Sequence, residues 1–216
     1  MKLRIHSYLP FSRANGPGCR AVFWVQGCPL SCPGCFNPET HAFAQGQWIE
    51  IDDLLHRVQT IADRIEGITI SGGEPLVQVA AVQEYVRRVK QSTPLSVILL
   101  TGFGWEEVQP IVGRQPATVN RATSEHGQNQ ASDPTLPGAD LLSYVDVLIA
   151  GRYDQSQRLA QGLRGSANKT LHFLTDRYGA SDLARVPGGE VIVHPDGEIV
   201  VSGVEPPSPQ LQYRET

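Results

Sequence analysis

The sequence predicts an α/β protein on a mostly parallel sheet. Short β-branched and aromatic runs alternate with segments of helical period, and glycine follows four of those runs. The chain has 216 residues, 40% of them hydrophobic, with 21 glycines and 16 prolines. That is one ordinary domain's worth of chain, well short of low-complexity composition. A formal charge of −4 argues against a nucleic-acid partner, which would demand a basic face. No apolar run approaches the roughly 20 residues of a transmembrane helix. Residues 1–15 lack the apolar stretch of a secretory signal. The expectation is a cytoplasmic protein with no membrane and no nucleic acid among its partners.

In chain order, Arg20 to Gln26 reads as the first strand. Residues 51–66 place Ile51, Leu54, Leu55, Val58, Ile61, Ala62 and Ile65 on one helical stripe, with Asp52 and Asp53 in the first turn and Gly67 as a C-cap. Ile68 to Ile70 is a strand ending in Ser71-Gly72-Gly73-Glu74. A helix follows over 77–91, then a strand from Ser96 to Leu100 ending in Thr101-Gly102. Residues 105–112 form a short helix that Pro110 spoils. Val145 to Ala150 and Thr170 to Leu174 are further strands. Glu190 to His194 and Glu198 to Ser202 flank Pro195-Asp196-Gly197 as a hairpin. The polar segment 114–140 reads as a surface-loop insertion, and 206–216 as a Pro-rich tail after a single domain, 1–205. Gly27, Gly72, Gly73, Gly102 and Gly151 fall at strand ends, on one rim of a parallel sheet, where such folds bind ligands.

All four cysteines lie between residues 19 and 35. Cys28, Cys32 and Cys35 form C-x3-C-x2-C in a loop turned by Gly27, Pro29, Pro33 and Gly34. Thiolates select soft centres: zinc, copper(I) or iron–sulfur clusters. Structural zinc normally takes four protein ligands, and Cys19 and His41 are candidates for the fourth. A 4Fe–4S cluster on three cysteines instead leaves one iron open to a small molecule. Unrelated buried cysteines are the plain alternative, but three within eight loop positions do not look like core packing.

With Gly72-Gly73-Glu74 at the end of the second strand, these cysteines resemble the radical S-adenosylmethionine superfamily. The sequence is more narrowly similar to activating enzymes of glycyl-radical enzymes, of the anaerobic ribonucleotide reductase type. The stretches that carry the likeness are N-G-P-G-C-R (15–20), V-Q-G-C-P-L-S-C-P-G-C-F-N-P-E-T (25–40), I-S-G-G-E-P-L (70–76), T-G-F-G-W-E-E (101–107), Y-V-D-V-L-I-A-G-R-Y-D (144–154) and L-R-G-S-A-N-K (163–169). Gly34 before the third cysteine and Phe36 after it follow the narrower family.

The resemblance implies an open partial (β/α)6 barrel with a 4Fe-4S cluster on Cys28, Cys32 and Cys35. It implies S-adenosyl-L-methionine on the open iron, cleaved reductively to a 5′-deoxyadenosyl radical that takes a hydrogen atom from glycine in a partner protein. A flavodoxin- or ferredoxin-type electron donor is implied too. The hard chemistry is the cofactors', so no side chain is assigned as acid or base. By the same likeness Gly72 and Gly73 let backbone approach the methionine moiety, and Glu74 accepts from its ammonium group, directly or through the turn. Thr101 and Gly102 face the ribose, Phe36 and Asn37 pack on adenine, and Ser166 and Asn168 contact the cofactor. Two alternatives stay open: a radical modifier of another peptide or small molecule, and a non-catalytic zinc-binding module. Asp146, inside an apolar strand, pairs with a cation such as Arg152 or lies at a solvated end. The Arg87-Arg88-Val89-Lys90 run is a solvated helix face or a dock for an acidic donor. Trp24, Trp48 and Trp105 read as packing residues.

Overall fold

The structure is a computed structural model describing residues 1–112 and 138–205. The expected loop therefore falls, up to residue 137, outside the described residues, as does the expected tail. The sequence pattern predicts no strand before residue 20, yet β1 (Lys2–Ser12) runs there, antiparallel to β2 (Arg20–Val25). Next come β3 (Gln47–Glu50), α1 (Ile51–Gln59), β4 (Gly67–Gly72), α2 (Val79–Ser92), β5 (Ser96–Thr101) and α3 (Trp105–Val112). After residue 137 follow β6 (Val147–Ala150), β7 (Arg158–Gln161), β8 (Arg164–Ser166), β9 (Thr170–Phe173), α4 (Ala180–Ala184), β10 (Gly189–Val193) and β11 (Ile199–Gly203).

Seven strands form one sheet in the order β3-β1-β2-β4-β5-β6-β9. Its centre, β2-β4-β5-β6, is parallel, and β1, β3 and β9 join antiparallel. The fold is thus mixed α/β on a mostly parallel central sheet, with antiparallel margins that the alternation of elements did not predict. β7–β8 and β10–β11 are separate two-stranded sheets.

Helix α1 ends at Gln59, short of the predicted 66, and turns continue to Arg64. Gly67 is not its cap. It opens β4, where a Cβ would stand 2.1 Å from Ser96 Oγ. Helix α3 runs unbroken through Pro110. α1 buries Ile51, Leu54, Leu55 and Val58, and α2 buries Val82, Tyr85, Val86 and Val89, each set one helical stripe. Both pack on Phe23, Ile68, Ile70, Val97, Leu99 and Leu148. Because strand side chains alternate, Ile98, Val147 and Ile149 face the other way, against Leu163, Leu183 and Val186.

At the base of the sheet Arg20 is fully buried. Its guanidinium donates to Thr69 Oγ1 (2.9 Å), Ser96 Oγ (2.9 Å), Ile68 O (2.6 Å), Ser96 O (3.2 Å), Pro17 O (3.3 Å) and Tyr178 OH (3.2 Å). A buried guanidinium is tolerable only when its donors are answered in this way. The network ties β2, β4 and β5 at their starts and so fixes the opposite rim.

Candidate functional site

The opposite rim carries the cysteine loop. Gly27 N donates to Thr40 O (2.8 Å) and Cys28 N to His41 O (3.1 Å), so the loop closes on itself. Within it Ser31 (φ +46°) and Gly34 (φ +69°) take left-handed turns, and Cys35 N donates to Cys32 O at 3.2 Å. All three thiols are half-buried and line one cavity of about 670 Å³. Burial pushes the Cys28 and Cys35 thiols up, opposed by backbone amides, Leu30 and Ser31 for Cys28 and Asn37 for Cys35. A bound cation would reverse that balance, since metals hold the thiolate.

The end of β4 is stitched to this loop. Gly73 N donates to Val25 O (2.8 Å) and Glu74 N to Gly27 O (2.9 Å). A Cβ on Gly73 would stand 2.5 Å from Gly27 O, and Gly72 holds φ +99°. Glu74 is fully buried. Its Oε1 accepts from Thr101 Oγ1 (2.7 Å) and Leu76 N (2.9 Å), and its Oε2 from Gly102 N (2.7 Å). Burial raises its pKa, and these donors oppose the rise. Glu74 therefore acts on the turn after β5, and the Thr101 hydroxyl is turned to Glu74.

The cavity is lined by Cys28, Cys32, Cys35, Phe36, Asn37, Gly72, Gly73, Glu74, Thr101 and Gly102 together. Ser166 and Asn168 are not among its lining residues. Ser166 Oγ accepts from Asp154 N (3.2 Å), and the exposed Asn168 donates to Arg152 O (3.0 Å). Lys169 and Gly165 line it instead. The sequence reading missed Lys169 because a single lysine at a strand's start has no pattern. Its ammonium donates to Gly151 O, and burial lowers its pKa against the pull of Cys32, Glu74 and Cys35. Trp24, read as packing, also borders the cavity.

Cys19 is no partner of the other three. It precedes β2 and Cys28 follows it, so a strand of roughly 20 Å separates them, and Cys19 packs on the core. His41 offers Cys28 its carbonyl. Among the described residues no three His, Cys, Asp or Glu side chains gather as a site for one metal ion. The three thiols share the wall of one cavity, and an all-thiol donor set suits a cubane cluster. Cysteines are also the usual ligands of such clusters. Asp146 pairs with Lys90 (2.9 Å), not Arg152, and also accepts from Val97 N (2.7 Å). Arg152 pairs with Glu107 (2.5 Å). Arg87 is tied to Glu84 (2.8 Å) and Arg88 to Asp52 (2.5 Å), so the basic run is engaged within the chain. No described helix is long and apolar enough to cross a membrane.

A three-thiol loop beside a glycine–glycine–glutamate turn defines a candidate iron–sulfur centre, and known proteins place it. The family described as a 4Fe-4S single cluster domain matches residues 14–172. The anaerobic ribonucleoside-triphosphate reductase-activating protein of Vibrio cholerae is 31% identical over 80% of this chain and 99% of its own length. That of Haemophilus influenzae is 30% identical over 76% and 94%, and that of Enterobacteria phage T4 is 29% identical over 77% and 92%. QueE from Escherichia coli, a solved structure, overlaps 47% of this chain and 53% of its own at TM-score 0.39 and 17% identity, too slight a likeness to argue from. The chain belongs to the 4Fe-4S single cluster domain family, among the anaerobic ribonucleoside-triphosphate reductase-activating proteins.

Proposed function

We propose that this chain is a radical S-adenosylmethionine enzyme that activates an anaerobic ribonucleoside-triphosphate reductase by generating a glycyl radical in it. One observation carries the reading: the three loop thiols, the Gly72-Gly73-Glu74 turn and Lys169 border a single cavity at the carboxyl ends of parallel strands. The sheet there supports an open partial barrel of the radical S-adenosylmethionine type. Cys28, Cys32 and Cys35 would hold the 4Fe-4S cluster, leaving one iron for the amino acid moiety of the cofactor. When bound, cluster and S-adenosylmethionine supply reductive cleavage to a 5′-deoxyadenosyl radical, which takes a hydrogen atom from a glycine of the partner.

The chain's own residues position and shield. Gly72 and Gly73 expose backbone where a side chain would clash. Glu74 holds Gly102 N and the Thr101 hydroxyl in place, fixing the wall opposite the cysteines. Lys169 brings a half-buried positive charge, held by Gly151 O among the described residues and matched to the cofactor carboxylate. Phe36, against the Tyr153 ring at 4.8 Å, and Leu30, over Gly102, offer apolar cover that keeps water from the reacting atoms. A flavodoxin- or ferredoxin-type donor supplies the electron.

Anaerobic reconstitution with iron and sulfide tests this. Reductant and S-adenosylmethionine should then yield 5′-deoxyadenosine, and adding the reductase of the same organism should yield a protein-borne radical doublet in electron paramagnetic resonance. Zinc without iron or sulfide, or hydrogen abstraction only from some other substrate, would reject the reading.

A further inference from the structure

We infer that Lys169 eases electron entry: its ammonium, which no carboxylate answers among the described residues, raises the reduction potential of a cluster held by Cys28, Cys32 and Cys35. The inference rests on the activating function proposed above and adds a role that needs no S-adenosylmethionine.

The turn before β9 is built to hold this side chain against the cavity. Ser166 Oγ accepts from Asp154 N (3.2 Å), Ala167 N donates to Gln157 O (2.8 Å), and Asn168 donates to Arg152 O (3.0 Å). On the other side Thr170 pairs with Ala150 at the end of β6. Gly151 follows at φ +125°, and a Cβ there would stand 3.3 Å from Lys169 Cα. The glycine lets the two segments close, and its carbonyl accepts from the ammonium. Residues 166–168 are thus struts, and Lys169 is the residue of this turn that borders the cavity.

Charges of both signs act on the thiols. Glu74 acts on Cys28 and Glu39 on Cys35, while Arg152 brings positive charge to Cys32 and Lys169 to Cys32 and Cys35. The two cations are not equal. Arg152 is exposed and doubly bonded to Glu107 (2.5 Å and 2.8 Å), so a carboxylate and water both weaken its field. Lys169 is half-buried and meets the neutral Gly151 carbonyl.

Reduction brings one electron from the donor and adds a negative charge to a cage that three thiolates already make anionic. No proton has to follow, because Lys169 carries its own and the thiolates favour that charged form. The cation therefore stabilises the reduced state more than the oxidised one, and its pull is strongest where water is excluded. Local charge is among the levers that set the potential of an iron–sulfur cluster.

The test is an anaerobic redox titration of the full chain, reconstituted with iron and sulfide and free of S-adenosylmethionine. The reduced cluster is followed by electron paramagnetic resonance. At the midpoint of the unmodified chain, Lys169→Met should lower the ratio of reduced to oxidised cluster about tenfold, or ~59 mV for one electron. Lys169→Arg keeps the charge and should change that ratio by less than about twofold. Glu107→Gln releases Arg152 from its carboxylate and should raise the midpoint, most at low salt. This variant leaves Lys169 in place, so it decides the matter if Lys169→Met loads no cluster. An unchanged midpoint in Lys169→Met, or in Glu107→Gln at low salt, overturns the inference. So does an equal fall in Lys169→Arg, which marks lost fit rather than lost charge. Iron and sulfide in the unmodified chain are measured first; zinc in their place sinks the activating function instead.

Discussion

Glu74 and Glu107 are both glutamates on the cysteine rim, and their surroundings give them opposite properties. Glu74 is buried, and its carboxyl is pushed up despite three donors. Glu107 is exposed, and its ion pair with Arg152 and a bond from Gly104 N hold it down at about 2. Its folded pKa lies below the usual 4.5, so the pair's stabilisation is complete above that value and is lost as pH falls from there through about 2. A carboxyl-carbon chemical-shift titration should place the Glu107 midpoint near 2. Arg152→Met should return it toward 4.5, the ordinary value. An ordinary midpoint in the unmodified chain would refute the assignment. Exposure keeps the energetic effect small and salt-sensitive.

The unit that builds the site is the junction of three strand ends, not any one loop. The cysteine loop leaves β2, the Gly72-Gly73-Glu74 turn leaves β4, and Glu74 reaches the turn after β5. Gly73 is where backbone approaches backbone most closely in this junction, because its hydrogen lies where a Cβ would meet the Gly27 carbonyl. Gly73→Ala should lower stability by about 1–3 kcal/mol through forced backbone shift, and should lower the iron retained per chain after reconstitution. Gly104→Ala is the comparison. Its nearest neighbour, Glu107 Oε2, stands 3.4 Å away, an ordinary contact, and little change is expected in denaturant unfolding or iron content. Equal losses in both variants would show that the close approach at Gly73 is not what matters.

Across the whole molecule, rim and base are coupled through the parallel strands between them. Arg20 joins the starts of β2, β4 and β5, and Glu66 joins Arg177 (2.9 Å) and Tyr178 (2.8 Å) beside it. Arg20→Leu would leave Ser96, Thr69 and Tyr178 facing a dry gap. A loss of about 3–5 kcal/mol is expected in denaturant unfolding, as for other broken buried charge networks. A change under about 1 kcal/mol would mean that water reaches the network and answers those groups.

The sequence by itself determined the chemistry of the centre. Three cysteines in eight positions, kept apart from the fourth by a strand, and two glycines before a glutamate are local signals that survive without a fold. It also determined the helices α1 and α2, whose apolar stripes are periodic, and the hairpin, whose Pro-Asp-Gly turn is explicit. Only the tertiary structure decided which polar groups face the cavity. Ser166, Asn168 and Lys169 lie within four residues, yet the path of the chain between β8 and β9 turns Lys169 inward and leaves the other two to backbone partners. The antiparallel β1 and the shortened α1 were decided there as well. Pairing, register and burial depend on residues far away in sequence, and no local pattern encodes a distant neighbour.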